Sequence, residues 1–235
     1  KMPKSQHNSR RRQFYILFGL GILIFALVLP LLALIPPRGQ SPALSAEAHQ
    51  ELVSQVVLST DRTELIGSSP TRGNPNAELV LLKFSDFQCP FCGAAATNMK
   101  AFMDDHDGDI LYVYKHFPLE SIHPEAIPAA RASWAAQQQG QFWPYHDALF
   151  EQQSQLGADL YQQIAQDLGL DMEQFNRDFN SSASREAVDQ DRQLTQQLRL
   201  NGTPTFVLND LLVPGNTPME FFETVVEQVN QSSSS

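Results

Sequence analysis

Leu79-Val80-Leu81-Leu82-Lys83-Phe84-Ser85-Asp86-Phe87-Gln88-Cys89-Pro90-Phe91-Cys92 is the stretch that decides the fold. Its first six residues form a nearly continuous apolar run, the pattern of a parallel strand covered on both faces. The small residues Gly93 to Ala96 then lead to Met99, Phe102 and Met103 at helical spacing, and Asp107-Gly108 ends the pattern. A strand therefore runs into a helix, and the two cysteines of the chain stand at the junction.

That placement gives them a chemistry. Three residues apart on a first helical turn, the two sulfurs share a face and lie within the separation that a disulfide tolerates. Cys89 is expected at the helix N-terminus, where unsatisfied N–H groups and the helix dipole favour a thiolate and draw the pKa below the free value of about 8.5. The thiolate is the attacking form and the better leaving group. Cys89 is thus the candidate nucleophile and Cys92 the resolving thiol, while Pro90 stiffens the loop and Phe91 lines it. Three other roles compete. A structural disulfide would close so short a loop that it constrains the unfolded chain little. Half a zinc site would lack its second ligand pair, although His106, His116, His123 and His146 are present. Two inert core thiols do not suit an oxidising compartment.

Toward the C-terminus, Ile110 to Phe117 alternates as a second strand, and Pro124 to Leu198 reads as a run of helices. Asp171-Met172-Glu173-Gln174 is a capping box within that run. Strand signal returns at Thr205-Phe206-Val207-Leu208, turns at Asn209-Asp210 and resumes at Leu211-Leu212-Val213. Thr217-Pro218-Met219-Glu220 opens a last helix. Pro204, just ahead of a short apolar strand, stands where a cis peptide bond can be stored.

Toward the N-terminus, Gln13 to Pro37 carries no charged side chain, and Phe14 to Ile35 is nearly all apolar, about the length that crosses hydrocarbon at ~1.5 Å per residue. Lys1, Lys4, Arg10, Arg11 and Arg12 precede it, and no acid occurs before Glu47. The expectation is a cytoplasmic basic segment 1–13 and a transmembrane helix 14–35, with the rest outside the membrane in a periplasm or equivalent lumen. A cleaved signal peptide is the alternative, with Ala46-Glu47-Ala48 as its cleavage site, although its apolar run would ordinarily be ~7–15 residues. Residues 36–78 read as a linker holding one short amphipathic helix, Ala43 to Leu58. The five basic residues before the span leave 11 basic against 26 acidic, a net of −15, which argues against nucleic acid or an anionic lipid surface as partner.

Phe84-Ser85-Asp86-Phe87-Gln88-Cys89-Pro90-Phe91-Cys92 resembles the active-site run of DsbA-like proteins, particularly the group related to DsbG and BdbD. The likeness continues in Lys115-His116-Phe117-Pro118-Leu119, in Gln141-Phe142-Trp143-Pro144-Tyr145-His146-Asp147-Ala148-Leu149-Phe150 and in Gly202-Thr203-Pro204-Thr205-Phe206. It implies an α/β thioredoxin-like fold over 79–230, with a helical insertion at about 118–198 capping the active site and a disordered tail at 231–235. It also implies a cis bond at Thr203-Pro204 facing the cysteines, with the Thr203 backbone holding a client peptide as an added strand. One departure stands out: six residues before the first cysteine the family carries a buried Glu or Asp that relays a proton, and this chain has Lys83. Lys83 either tunes a thiol pKa or is an exposed strand-end lysine.

The reading is therefore a membrane-anchored thiol–disulfide oxidoreductase that oxidises cysteine pairs of exported proteins, needing no metal or organic cofactor. The resemblance suggests reoxidation by a membrane partner of the DsbB or vitamin K epoxide reductase-like type. Spacing does not set a potential, so reductase and isomerase remain alternatives, as does a non-catalytic peptide-binding chaperone on the same scaffold.

Overall fold

The computed structural model describes residues 44–233. The basic segment 1–13 and the apolar run 14–35 lie outside the described residues; among the described residues no helix is long and apolar enough to cross a membrane.

Five strands, β1 (Thr71–Gly73), β2 (Leu79–Ser85), β3 (Ile110–His116), β4 (Thr205–Leu208) and β5 (Leu211–Pro214), form one sheet in the order β1-β3-β2-β4-β5. Only β2 and β3 are parallel, with Leu79 opposite Ile110 and Ser85 opposite His116. The connection between them is α3 (Pro90–Asp105), the crossover helix a parallel pair requires. The remaining helices are α1 (Ala46–Ser59), α2 (Arg62–Ile66), α4 (Ala126–Gln137), α5 (Phe142–Glu151), α6 (Ala158–Asp167), α7 (Met172–Asn180), α8 (Ser182–Gln197) and α9 (Met219–Ser233).

Both faces of the sheet are covered, which is why β2 reads as unbroken hydrophobicity. On one face Leu79, Leu81, Ile110, Tyr112, Phe206 and Val213 pack under Met99, Phe102 and Met103 of α3 and Phe222 and Val226 of α9. On the other, Leu82, Phe84, Leu111, Val113 and Val207 pack against Val53 of α1 and Leu198. The helices α4 to α7 form a third core, where the alanine face of α4 lets Tyr145, Leu149, Tyr161, Ile164 and Phe175 approach closely. The insertion is fastened to β3 from α8: the Asp191 carboxylate accepts from Lys115 Nζ at 3.1 Å and from the His116 N–H at 2.8 Å, and all three groups are buried. The Asp171 side chain caps α7 as expected, accepting from the Gln174 N–H.

Two boundaries differ from the sequence reading. Residues 36–78 read as a linker with one short amphipathic helix; that helix is present as α1, but it buries Val53 completely against the sheet, and β1 is an edge strand antiparallel to β3. Three residues as polar as Thr71-Arg72-Gly73 carry no alternation from which a strand can be read. Gly73 is needed there: its φ is +91°, and an added Cβ would fall 2.2 Å from the Ile110 carbonyl oxygen. At the other end, α9 runs to Ser233 rather than giving way to a disordered tail from 231, carried by the apolar row Phe222, Val226 and Val229.

Burial pushes the imidazoles of His116 and His146 down to about 4 from an ordinary 6.5. As pH falls, the unfolded chain binds these protons first, so stability is full above about pH 6.5 and erodes as pH drops toward about 4. The expected loss is on the order of a few kcal/mol. Thermal melts at pH 7 and near pH 4.5 check it; equal midpoints would contradict neutral burial of the two rings.

Candidate active site

The site is built where β2 ends. Cys89 is the N-cap of α3, with extended backbone (φ −76°, ψ 119°), and Pro90 follows in the first turn, where its missing N–H leaves no helical bond unmade. The Cys89 carbonyl accepts from the Cys92 N–H at 3.0 Å and the Gly93 N–H at 3.3 Å. Both cysteines are free thiols. Cys89 keeps 4% of its surface exposed and Cys92 none, so only the first can be approached from solvent.

The two thiols are driven in opposite directions. Cys89 is pulled down to about 5, first by the hydrogen bond from Cys92, then by Thr203 and the backbone N–H groups of Cys92 and Phe91, against a desolvation penalty. Burial and that same hydrogen bond push Cys92 upward. The pair shares one proton, which resides on Cys92.

The Thr203-Pro204 bond is cis. In its thiol form Cys89 Sγ donates to the Thr203 carbonyl at 3.4 Å, which brings together the two halves of the expected site across 114 residues of sequence. The Thr203 hydroxyl is buried without a partner of full hydrogen-bond geometry, yet it lies close enough to favour thiolate at both sulfurs. Beside the pair runs a groove of about 780 Å³, lined by Phe91, Asn98 and Met99 on one side and by Thr203 to Phe206 and Pro214 to Met219 on the other. Phe91 is 74% exposed on its rim.

Three supports were not legible in the sequence. Asp86, buried, accepts from the Gln88 N–H (2.8 Å) through one oxygen, and from the Leu119 N–H (2.9 Å) and His123 Nδ1 (2.7 Å) through the other. Its own N–H points at Cys92 Sγ, 3.5 Å away. Gln153, in a short 3-10 turn after α5, donates to the Phe87 and Cys89 carbonyls at 2.7 and 2.8 Å. Gly215 lies against the cis proline so closely that a Cβ would sit 2.0 Å from the Pro204 carbonyl oxygen. Asp86 and Gln153 act chiefly on partners 33 to 66 residues away, and Gly215 on one 11 residues back across the turn of β4 and β5, so short-range pattern does not reveal them. Lys83 is not a strand-end lysine at the surface: it is fully buried, level with Tyr114 and Phe206 in the sheet. The four histidines weighed as zinc ligands do not join the cysteines, and among the described residues no group of three or more His, Cys, Asp or Glu side chains is placed to hold a metal.

Two outcomes follow. Alkylation of Cys89 should rise with pH around about 5 and level off before neutrality, with Cys92 untouched in the folded chain; a midpoint near the free value of ~8.5 would contradict the shared proton. Gly215→Ala should destabilise by about 1–3 kcal/mol through the clash with Pro204, as read by denaturant unfolding, and should slow thiol exchange.

Comparison with known proteins agrees with this geometry. The Thioredoxin_4 family model, described as thioredoxin, matches residues 66–228. A thioredoxin-like oxidoreductase from Silicibacter pomeroyi DSS-3 is 30% identical, with a TM-score of 0.66 over 73% of this chain and 99% of that one. The thiol-disulfide exchange protein alpha-DsbA2 from Wolbachia pipientis, 21% identical, shares the fold with a TM-score of 0.68 over 80% of this chain and 100% of its own. Among curated proteins, the Na(+)/H(+) antiporter NhaA 1 of Mycobacterium sp. (strain KMS) is 43% identical over 141 residues, which is 59% of this chain but only 23% of that protein. With Cys89 capping α3, Cys92 one turn further on, a cis proline beside them and a family match over most of its length, the chain belongs to the thioredoxin family.

Proposed function

We propose that the chain is a thiol–disulfide oxidoreductase in which Cys89 exchanges disulfides with client proteins and Cys92 resolves the intermediate. The observation that carries this is the division of labour between the sulfurs: a grazing-exposed thiol drawn down to about 5 beside a buried partner that keeps the proton. In the oxidising direction a client thiolate attacks Cys89 Sγ of the Cys89–Cys92 disulfide. The bond between the two cysteines breaks, a client–Cys89 disulfide forms, and Cys92 leaves with the electron pair and takes up a proton. A second client thiolate then attacks the client sulfur of that bond and expels Cys89 as thiolate. The client ends oxidised by two electrons and the chain reduced by two.

Oxidation is the preferred direction because a thiolate as stable as Cys89 favours the reduced state of the pair, and so draws electrons from clients. The clients are exported proteins with cysteine pairs, held in the groove beside Thr203 and Pro204. We read residues 14–35 as a membrane anchor that keeps the domain near a quinone-linked partner of the DsbB or vitamin K epoxide reductase-like type. The antiporter relatives bear on this as well. The chain spans 23% of such a protein and matches it at 43% identity over 141 residues, so a thiol-exchange domain working beside a membrane transporter is the second reading; ion antiport by this chain is not part of it.

Equilibration of the Cys89–Cys92 pair with glutathione tests the direction. A potential of about −120 to −180 mV supports oxidation, and one near −270 mV or lower would make the chain a reductase. Cys89→Ser should abolish exchange, whereas Cys92→Ser should accumulate client–Cys89 mixed disulfides on non-reducing gels.

A further inference from the structure

A group of polar atoms lies sealed beneath the cysteines, on the α3 side of the sheet. Lys83 Nζ, the Tyr112 hydroxyl and His146 Nε2 are buried with no hydrogen-bond partner among the described residues, and the buried Ser85 Oγ lies near both Cys92 and the Tyr114 hydroxyl without full hydrogen-bond geometry. The lysine amine stands 5.4 Å from the centre of the Phe150 ring and 5.9 Å from that of Tyr114. His146 packs edge-on against the same two rings, at 4.9 and 5.1 Å. From there His146 Nδ1 meets an Asp147 carboxylate oxygen at 2.8 Å, and the other Asp147 oxygen meets the half-exposed Lys100 Nζ at 2.7 Å.

Stability does not account for a lysine here. A buried amine without a partner costs stability, and replacing such a group with a packed apolar side chain is commonly neutral or favourable. Every other position of β2 that points to this face before it, Leu79 and Leu81, is apolar. The charged and titratable groups facing Lys83 are Cys89 and Cys92 from α3, Tyr112 and Tyr114 from β3, and His146 and Asp147 from α5. His116 lies beyond Tyr114, 5.2 Å between ring centres. Of these, Cys92 exerts the strongest attraction on the lysine, ahead of Asp147 and Cys89. The thiols themselves answer mainly to burial and to each other.

Resting on the thiol-exchange reading, we propose that Lys83 is the proton-exchange group of Cys92, a buried amine working where the family resemblance leads one to expect a carboxylate. When Cys92 is expelled from the disulfide, the Lys83 ammonium gives it a proton and becomes a neutral amine. In the reverse direction the neutral amine takes the Cys92 proton, the thiolate attacks Cys89 Sγ of the mixed disulfide, the Cys89–Cys92 bond forms, and the client leaves as thiolate. Burial lowers the lysine to about 8, against the opposing pull of the sulfurs, so both of its forms are within reach near neutral pH.

The experiment uses the full reduced chain and the chromogenic disulfide 5,5′-dithiobis(2-nitrobenzoate). Attack by Cys89 releases one thionitrobenzoate, and attack by Cys92 on the mixed disulfide releases the second, so the two phases read the two sulfurs separately. In the wild-type chain the second phase should rise with pH through an inflection near 8. In Lys83→Met that inflection should vanish and the second phase should slow by about tenfold or more relative to the first at neutral pH, the equivalent of one pKa unit at Cys92. Lys83→Arg, which keeps a cation that does not release its proton, should stay slow as well. A second phase in Lys83→Met with the wild-type rate ratio and pH profile would overturn the proposal and leave the thiol-exchange reading standing. Wild-type rates in Lys83→Arg would overturn it too, reducing Lys83 to a fixed charge. If the wild-type chain released no second equivalent, the thiol-exchange reading itself would fall.

Discussion

A carboxylate with no exposure to water has to be surrounded by donors, and much of this domain is arranged around that demand at Asp86. Its two oxygens take the N–H of Gln88, the N–H of Leu119 and the imidazole of His123. The first donor shapes the loop entering α3, and the other two belong to the segment that leaves β3 for the helical insertion. One buried charge thus fixes the distance between the end of β2 and the end of β3, already neighbours through their parallel pairing. The cysteine turn inherits that rigidity. Gln153 adds a second tie from the far side of the insertion, holding the carbonyls of Phe87 and Cys89. The inserted helices are therefore part of the cysteine turn's scaffold as well as a cover over it.

Electrostatics at the site follows from unequal burial of two chemically identical groups. Both thiols sit on one helical turn, but Cys89 faces the N–H groups of Phe91 and Cys92 that open α3 and the Thr203 carbonyl. Cys92 lies a turn deeper, against Asp86 and Ser85. Depth thus sets the two thiols apart, and the hydrogen bond between the sulfurs is the largest influence holding the Cys89 pKa down.

Much of this was legible in the sequence because it is written in local pattern. The β2 run, the helix after Cys89, the alternation of Ile110 to Phe117 and the Asn209-Asp210 turn are short-range signals, and the structure follows them. The cysteine spacing and the Gly202-Thr203-Pro204 run pointed to the two halves of the site, although their meeting rests on pairing between β2 and β4, which periodicity does not encode. What stayed hidden depends on distant partners. The packing of α1 against the sheet comes from Val53 meeting residues far along the chain, and β1 is held by its neighbour rather than by its own composition. The burial of Lys83 was undecidable for the same reason: a lysine in an apolar run is written identically whether its amine reaches water or ends among Tyr114 and Phe150.

The contact between Gly215 and Pro204 reaches beyond this one site. A turn from the end of β5 presses its backbone against the proline ring with no room for a side-chain carbon, so the loop that carries Thr203 is wedged from behind by the strand next to it. Transplanting the cysteine turn and the Gly202-Thr203-Pro204 segment into another scaffold would leave that wedge behind. The unit that can be moved intact is larger, running from β2 through the insertion to the start of α9. The geometry around what looks like a four-residue motif is, in this chain, a property of some 140 consecutive residues acting as one piece.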